Sequence, residues 1–249
     1  MMKCQSDSRR NEYKGLTGVV VTALLVAALL GSCSSRDPRL QGVLSMEGQS
    51  AQPPSRERIA ELQETIDEYE QVVNQKVEAA MRQASYLKLL AQEYMRQELY
   101  GPALDALEEA LVIEPRNTVL HQLAGVCAGY VAKAQARPER RAELFAVAEQ
   151  FYKQSLEIDP NYVDGLYALA NLYHFEMGKH LEAIEALDRL LELSPSHTQA
   201  LFVLARSHAA LGDVDDAVAA YDRIIEMAAN REAKEQARRN RQLLLGELE

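Results

Sequence analysis

The chain has 249 residues and a formal net charge of −10, with 12 Gly, 8 Pro, 3 Cys and no Trp. The acidic balance argues against a general nucleic-acid binder and against electrostatic docking on anionic lipid. Sparse Gly and Pro without Trp suit helices, and neither a β-sandwich nor a barrel. Residues 1–15 carry Lys3, Arg9, Arg10 and Lys14, and an apolar run rich in Val, Leu and Ala follows from Leu16 to Leu30. A basic start, about fifteen apolar residues and small residues before a cleavage point describe an export signal. The run falls short of the roughly twenty apolar residues that cross a bilayer.

The run ends in Leu30-Gly31-Ser32-Cys33. This resembles the lipobox of bacterial lipoproteins. The resemblance implies removal of residues 1–32 as a signal peptide and acylation of Cys33 on its thiol and new amine, palmitate included. Several acyl chains anchor stably where one binds only marginally. By the same resemblance Ser34, where an Asp would retain the protein at the inner membrane, permits transfer to the outer membrane, facing the periplasm of the cell envelope. Losing 1–32 removes four basic and two acidic residues from totals of 27 and 37, so the mature net charge is −12. Cys127 is then alone beside the lipidated Cys33, and no intramolecular disulfide forms.

Residues 33–55 form the lipidated tether. They lack helical periodicity, hold Pro38, Gly42, Gly48, Pro53 and Pro54, and read as a disordered leash. About 22 flexible residues span roughly 25 Å r.m.s., enough for the body to stand off a membrane. Residues 56–83 are highly charged with apolar positions Ile59, Leu62, Ile66, Tyr69 and Val73, an amphipathic helix by its three-four spacing. Lys76 interrupts the stripe after about two heptads, too few for a coiled coil. The helix is expected to cap the first repeat, with pairing of two protomers as the alternative.

Four segments beyond it end alike: Leu111-Val112-Ile113-Glu114-Pro115, Leu156-Glu157-Ile158-Asp159-Pro160, Leu191-Glu192-Leu193-Ser194-Pro195 and Ile225-Glu226-Met227-Ala228-Ala229. Proline stops a helix and pushes the preceding residue out of the α region. Within each segment the same pattern recurs. Leu87, Leu90, Ala91 and Tyr94 precede Ala103, Leu107 and Ala110. Leu120, Leu123, Ala124 and Cys127 precede Ala148, Tyr152 and Ser155. Leu166, Leu169, Ala170 and Tyr173 precede Ala183, Leu187 and Leu190. Leu201, Leu204, Ala205 and His208 precede Ala217, Tyr221 and Ile224. These spacings place each set on one helical face.

The pattern resembles the tetratricopeptide repeat, a helix-turn-helix unit of about 34 residues. The resemblance implies an all-α, right-handed α-solenoid of about four repeats, 84–116, 117–162, 163–197 and 198–230, between the N-terminal helix and a C-terminal capping helix over 231–249. Paired helices cross closely only where a side chain is small, so Ala91, Ala124, Ala170 and Ala205 belong at one crossing and Ala103, Ala148, Ala183 and Ala217 at the other. Gly101-Pro102, Gly178 and Gly212 fall where the turns belong. The second repeat is about twelve residues too long, the excess lying near 129–147 around Pro138, and its helices are expected to extend as a longer hairpin. The fourth lacks the closing Pro. A solenoid needs capping ends for solubility, and Ala233, Ala237, Leu244 and Leu245 give 231–246 that character.

By resemblance, the first helix of each repeat lines a concave groove. The groove positions are then Lys88, Gln92, Met95 and Arg96; His121, Gln122 and Gly125; Tyr167, Asn171, His174 and Phe175; and Phe202 and Arg206. Aromatic and Met anchors with Arg, Asn and Gln suit a bound peptide or helix; packing of Phe175 and Phe202 under the C-terminal helix is the competing reading. Some relatives clamp a terminal carboxylate with Lys and Asn residues. Here Gln92 replaces the Asn, and Asp164 and Ala168 stand at the later basic positions, so no such clamp is expected. Lys133, Arg137, Arg140 and Arg141 in the long hairpin and Arg231, Lys234, Arg238, Arg239 and Arg241 near the C-terminus are either solvated faces or docking patches for an acidic partner.

No HExxH, GxSxG or phosphate loop occurs, and no Cys or His pair has metal spacing, so neither catalysis, a cofactor nor a metal is expected. His174 and His180, six residues apart, are expected on different faces. His208 and Cys127 occupy packing positions, the latter as an inert buried thiol. The two resemblances together imply a membrane-anchored scaffold, expected to assemble or position a cell-envelope complex by binding a peptide or helix of another envelope protein. The alternative is an oligomeric, transporter-associated component that handles a ligand together with a solute-binding protein. No nucleic-acid partner is expected, and homo-oligomerisation stays open.

Overall fold

The computed structural model describes residues 55–246. The export signal, Cys33 and the tether up to Pro54 lie outside the described residues. The chain divides into two units, Met1–Tyr69 and Glu70–Glu249. The described part of the first is the opening of helix α1 (Arg56–Arg96), where Ser55 Oγ accepts from the Arg58 backbone N–H at 3.1 Å. Ile59, Leu62 and Ile66 are exposed there.

The second unit holds the rest of α1, then α2 (Tyr100–Ile113), α3 (Thr118–Lys133), α4 (Pro138–Ile158), α5 (Val163–Asn171), a π-helical turn (Leu172–Met177), α6 (His180–Leu193), α7 (Thr198–Leu211), α8 (Val214–Met227) and α9 (Arg231–Leu244). It is an all-helical solenoid of helix pairs, α3 with α4, α5 with α6 and α7 with α8; α2 packs on α3, α6 on α7, and α9 on α8. No described helix is long and apolar enough to cross a membrane.

The alanines carry this architecture. Ala91, Ala124, Ala170 and Ala205 are fully buried, as are Ala103, Ala148, Ala183 and Ala217. Around them lie three contiguous apolar clusters, one at each joint between helix pairs. Leu107, Leu120, Leu166, Leu187, Leu190, Leu201 and Ile224 supply the bulk. At the position of Ala110, Leu190 and Ile224 the second pair has Ser155, whose hydroxyl donates to the Thr118 carbonyl at 3.1 Å. That bond meets the demand of a buried polar group.

Helix ends follow local chemistry. Asn117 Oδ1 accepts from Leu120 N–H at 3.1 Å, His197 Nδ1 from Ala200 N–H at 3.1 Å, and Asn230 Oδ1 from Glu232 N–H at 2.8 Å. Each satisfies an amide that has no partner within the helix. Gly178 (φ 63°) and Gly212 (φ 86°) turn two pairs through the left-handed region, which costs glycine nothing.

Three expectations are corrected. The N-terminal helix does not end at residue 83: α1 runs unbroken to Arg96, because no Pro or Gly interrupts residues 56–96. Nor is its stripe covered as a cap's would be, since Val73, Val77 and Met81 are exposed in the second unit. The first turn is not at Gly101-Pro102, which sit in the opening turn of α2, where proline loses no hydrogen bond. Glu98 makes the turn instead, at φ 60°, an uncommon conformation for a residue with a side chain.

Candidate binding groove

Helices α3 and α5 face each other across a cavity of about 750 Å³. From α3 come Gln122, Val126, Gly129, Tyr130 and Lys133; from α4, Phe145 and Tyr152; from α5 and the π turn, Asp164, Tyr167, Ala168, Asn171, Leu172, Phe175 and Glu176. Five aromatic rings and a few polar groups make it mainly apolar, the usual character of a ligand site.

Tyr130, Lys133, Tyr167 and Asn171 are held by neighbouring groups. Tyr130 stacks on Tyr100 of α2 with centroids 4.0 Å apart and planes 5° apart. Lys133 reaches from α3 to the π turn, 2.7 Å from Glu176 Oε1, with its ammonium 5.4 Å from the Tyr130 ring centre. Tyr167 tilts against His197, and the Asn171 amide donates to the Tyr167 carbonyl at 2.7 Å. Tyr152 forms the buried floor, and burial pushes its phenol well above the ordinary range. Behind the groove, Glu149 of α4 accepts from Tyr173 Oη at 2.9 Å and pairs with Lys153 at 2.8 Å and Lys179 at 3.1 Å. Burial pushes its carboxyl up, but the hydrogen bonds from Lys153, Lys179 and Tyr173 outweigh that and hold it below the ordinary carboxylate value.

Of the expected groove residues, Gln122, Tyr167, Asn171 and Phe175 line this one cavity. His121 is buried, with Nε2 2.9 Å from the Pro115 carbonyl oxygen, so it faces the core. Gly125 is buried too, against the Tyr152 ring. Phe202 packs at the core's edge, 6.2 Å from Tyr221. Met95 packs in the first cluster, Arg96 is paired with Glu93, and Lys88 and Gln92 are half-buried on α1 outside the lining. Val126, Gly129, Tyr130 and Lys133 were missed, although steps of four, three, one and three from Gln122 continue the same face of a longer helix.

A second cluster adjoins the groove. The expectation that His174 and His180 lie apart is wrong: their Nδ1 atoms are 3.3 Å apart and their ring centres 5.0 Å apart. The π turn and the left-handed Gly178 fold the start of α6 back beside His174. Ser207 of α7 brings Oγ to 3.0 Å from His174 Nδ1. Phe175 meets His174 edge-on at 4.4 Å, and the Arg206 guanidinium lies 5.9 Å from the Phe175 ring centre. Burial, His180 and the Arg206 charge hold the His174 imidazole below its ordinary range.

Cys127 and part of each basic patch have partners or cover of their own. Cys127 is buried, and burial pushes its thiol up to about 12. Arg140 pairs with Glu143, Arg231 with Glu235 and Arg241 with Asp222, while Arg141 donates to the Gln135 carbonyl and Lys234 to that of Glu226.

Residues 167–232 match the tetratricopeptide repeat family. The match covers the end of the groove, the π turn, α6, α7 and α8. The chain is also similar to a TPR repeat-containing protein of Borreliella burgdorferi, 25% identical over 218 residues, which are 87% of this chain and 95% of that protein. Among solved structures it resembles a thermophilic TPR protein of Thermus thermophilus, with TM-score 0.55 and 20% identity over 65% of this chain and 81% of that one. It also resembles MamA, with TM-score 0.52 and 17% identity over 76% and 99%. At these identities the structural likenesses speak for the fold alone.

Proposed function

We propose that this chain is a lipid-anchored scaffold which holds a peptide or helix of another cell-envelope protein between α3 and α5. The carrying observation is the cavity itself, about 750 Å³, where Tyr130, Tyr167 and Phe175 offer apolar anchors and Gln122 and Asn171 offer amides to a polar backbone. The tetratricopeptide match supports a protein partner, because such repeats are interaction modules rather than enzymes. Membrane attachment rests on the lipobox-like Leu30 to Cys33: acyl chains on Cys33 would tether the body at the outer membrane, facing the periplasm.

The test is photo-crosslinking in intact cells from a reactive residue at position 126, followed by identification of the attached protein. A crosslink that disappears with Asn171→Glu and Tyr167→Ala is expected. A crosslink that survives both places the binding surface elsewhere. Cys33→Ser is expected to release the protein from membranes. The oligomeric, transporter-associated alternative has one observation in its favour, the uncovered Val73, Val77 and Met81 on α1, and a monomer in light scattering removes it.

A further inference from the structure

We propose that His174 and His180, with Ser207 beside them, form a binding site for a divalent transition-metal ion of the zinc class. Three elements converge there: the π turn brings His174, the start of α6 brings His180, and α7 brings Ser207. His174 Nδ1 stands 3.3 Å from His180 Nδ1 and 3.0 Å from Ser207 Oγ. One ring nitrogen has either one lone pair or one proton. Two neighbours on that nitrogen therefore make at best one good hydrogen bond and one poor one.

A metal satisfies all three atoms together. Nitrogens about 2.0–2.1 Å from a tetrahedral zinc lie about 3.3–3.4 Å from each other, and the two imidazoles already have that separation. A pair of imidazole nitrogens suits zinc, copper or nickel, whereas magnesium and calcium take sets of oxygens. The fourth coordination position belongs to water or to a side chain of the protein held in the groove, since Phe175 touches His174 and lines the cavity.

The charges facing His174 set the strength. His180 and Arg206 are the basic groups that act on it. Removing the Arg206 charge strengthens the site. The inference does not depend on the groove reading, because the metal alone is the probe.

The experiment is calorimetric titration of the full chain with Zn²⁺ at pH 7.5, with Mg²⁺ as control. One equivalent of zinc is expected, with no magnesium heat. His174→Ala and His180→Ala each weaken it by about tenfold or more, His208→Ala leaves it unchanged, and Arg206→Gln tightens it. Zinc also raises the melting temperature, and that rise is lost in His180→Ala, whose position at the start of α6 leaves the core untouched. Absence of zinc binding, or binding indifferent to both histidine changes, overturns the proposal.

Discussion

Replacing Gly125 with alanine tests the packing of α3 on α4 most sharply. A Cβ built at Gly125 lies 2.5 Å from Tyr152 Cε1, 2.6 Å from Cδ1 and 2.9 Å from Cζ. Carbon atoms pack at about 3.5–4.0 Å, so the ring must retreat by roughly 1 Å. Tyr152 is 5% exposed and packs in the cluster with Phe145, Ala148 and Leu169, so its ring can retreat only by leaving that cluster toward the groove it floors. The substitution gains about 1 kcal/mol of helix propensity and loses roughly 1–3 kcal/mol to overpacking. At such short contacts the upper end applies, for a net loss of about 2 kcal/mol. Gly129, one turn later in the same helix, has nothing within 4 Å, so Gly129→Ala keeps the full gain of about 1 kcal/mol. At about 2–4 °C per kcal/mol, thermal melts by circular dichroism should separate the two variants by roughly 6–12 °C. In a Tyr152→Leu background the cost at position 125 should vanish, a coupling a double-mutant cycle reads directly. A Gly125→Ala variant as stable as Gly129→Ala refutes the close crossing and returns position 125 to the groove.

Ala205→Leu, at a fully buried crossing, is expected to cost roughly 3 kcal/mol, and Ala210→Leu, on the exposed side of α7, less than about 0.5 kcal/mol, both read by urea unfolding. Cys127 is expected to resist alkylation in the native protein and react fully in guanidinium, located by peptide mass spectrometry. Its folded pKa, about 12, is raised above the ordinary thiol value of 9.0. The native state therefore binds the proton more tightly, so stability falls as pH rises from about 9 to about 12, and Cys127→Ala flattens that fall in alkaline melts. Glu149 has the opposite sign: its folded pKa is depressed, so its contribution is present above the unfolded value of 4.5 and lost as pH falls through the folded one. Glu149→Gln should cost roughly 1 kcal/mol at pH 7, and less at pH 3, by denaturant unfolding.

The fold was legible because its determinant is local and repeated. A small residue at each crossing is demanded by the distance between helix axes, and four recurrences of the same alanines state that distance in the sequence itself. The places that misled are those where a local signal had two structural solutions. Gly101-Pro102 reads as a turn, yet proline suits the first turn of a helix equally well, and Glu98 adopts the left-handed conformation instead. Lys76 reads as the end of a stripe, but a lysine on an exposed face does not interrupt a helix, so α1 continues.

The site was harder to read, and for a different reason. Periodicity tells which residues share a face but not where a face stops being covered. Gln122 and Val126 face the cavity, while His121 and Gly125, one residue back, face the core. A helix turns about 100° per residue, so adjacent residues on α3 divide between wall and core, and of the three expected there only Gln122 lies on the wall. The histidine pair defeats periodicity altogether, because a π turn and a left-handed glycine stand between its members and reset the phase. Groups brought together across such a break are visible only in three dimensions, and the break that hid His174 from His180 also sets their nitrogens at the spacing of zinc ligands.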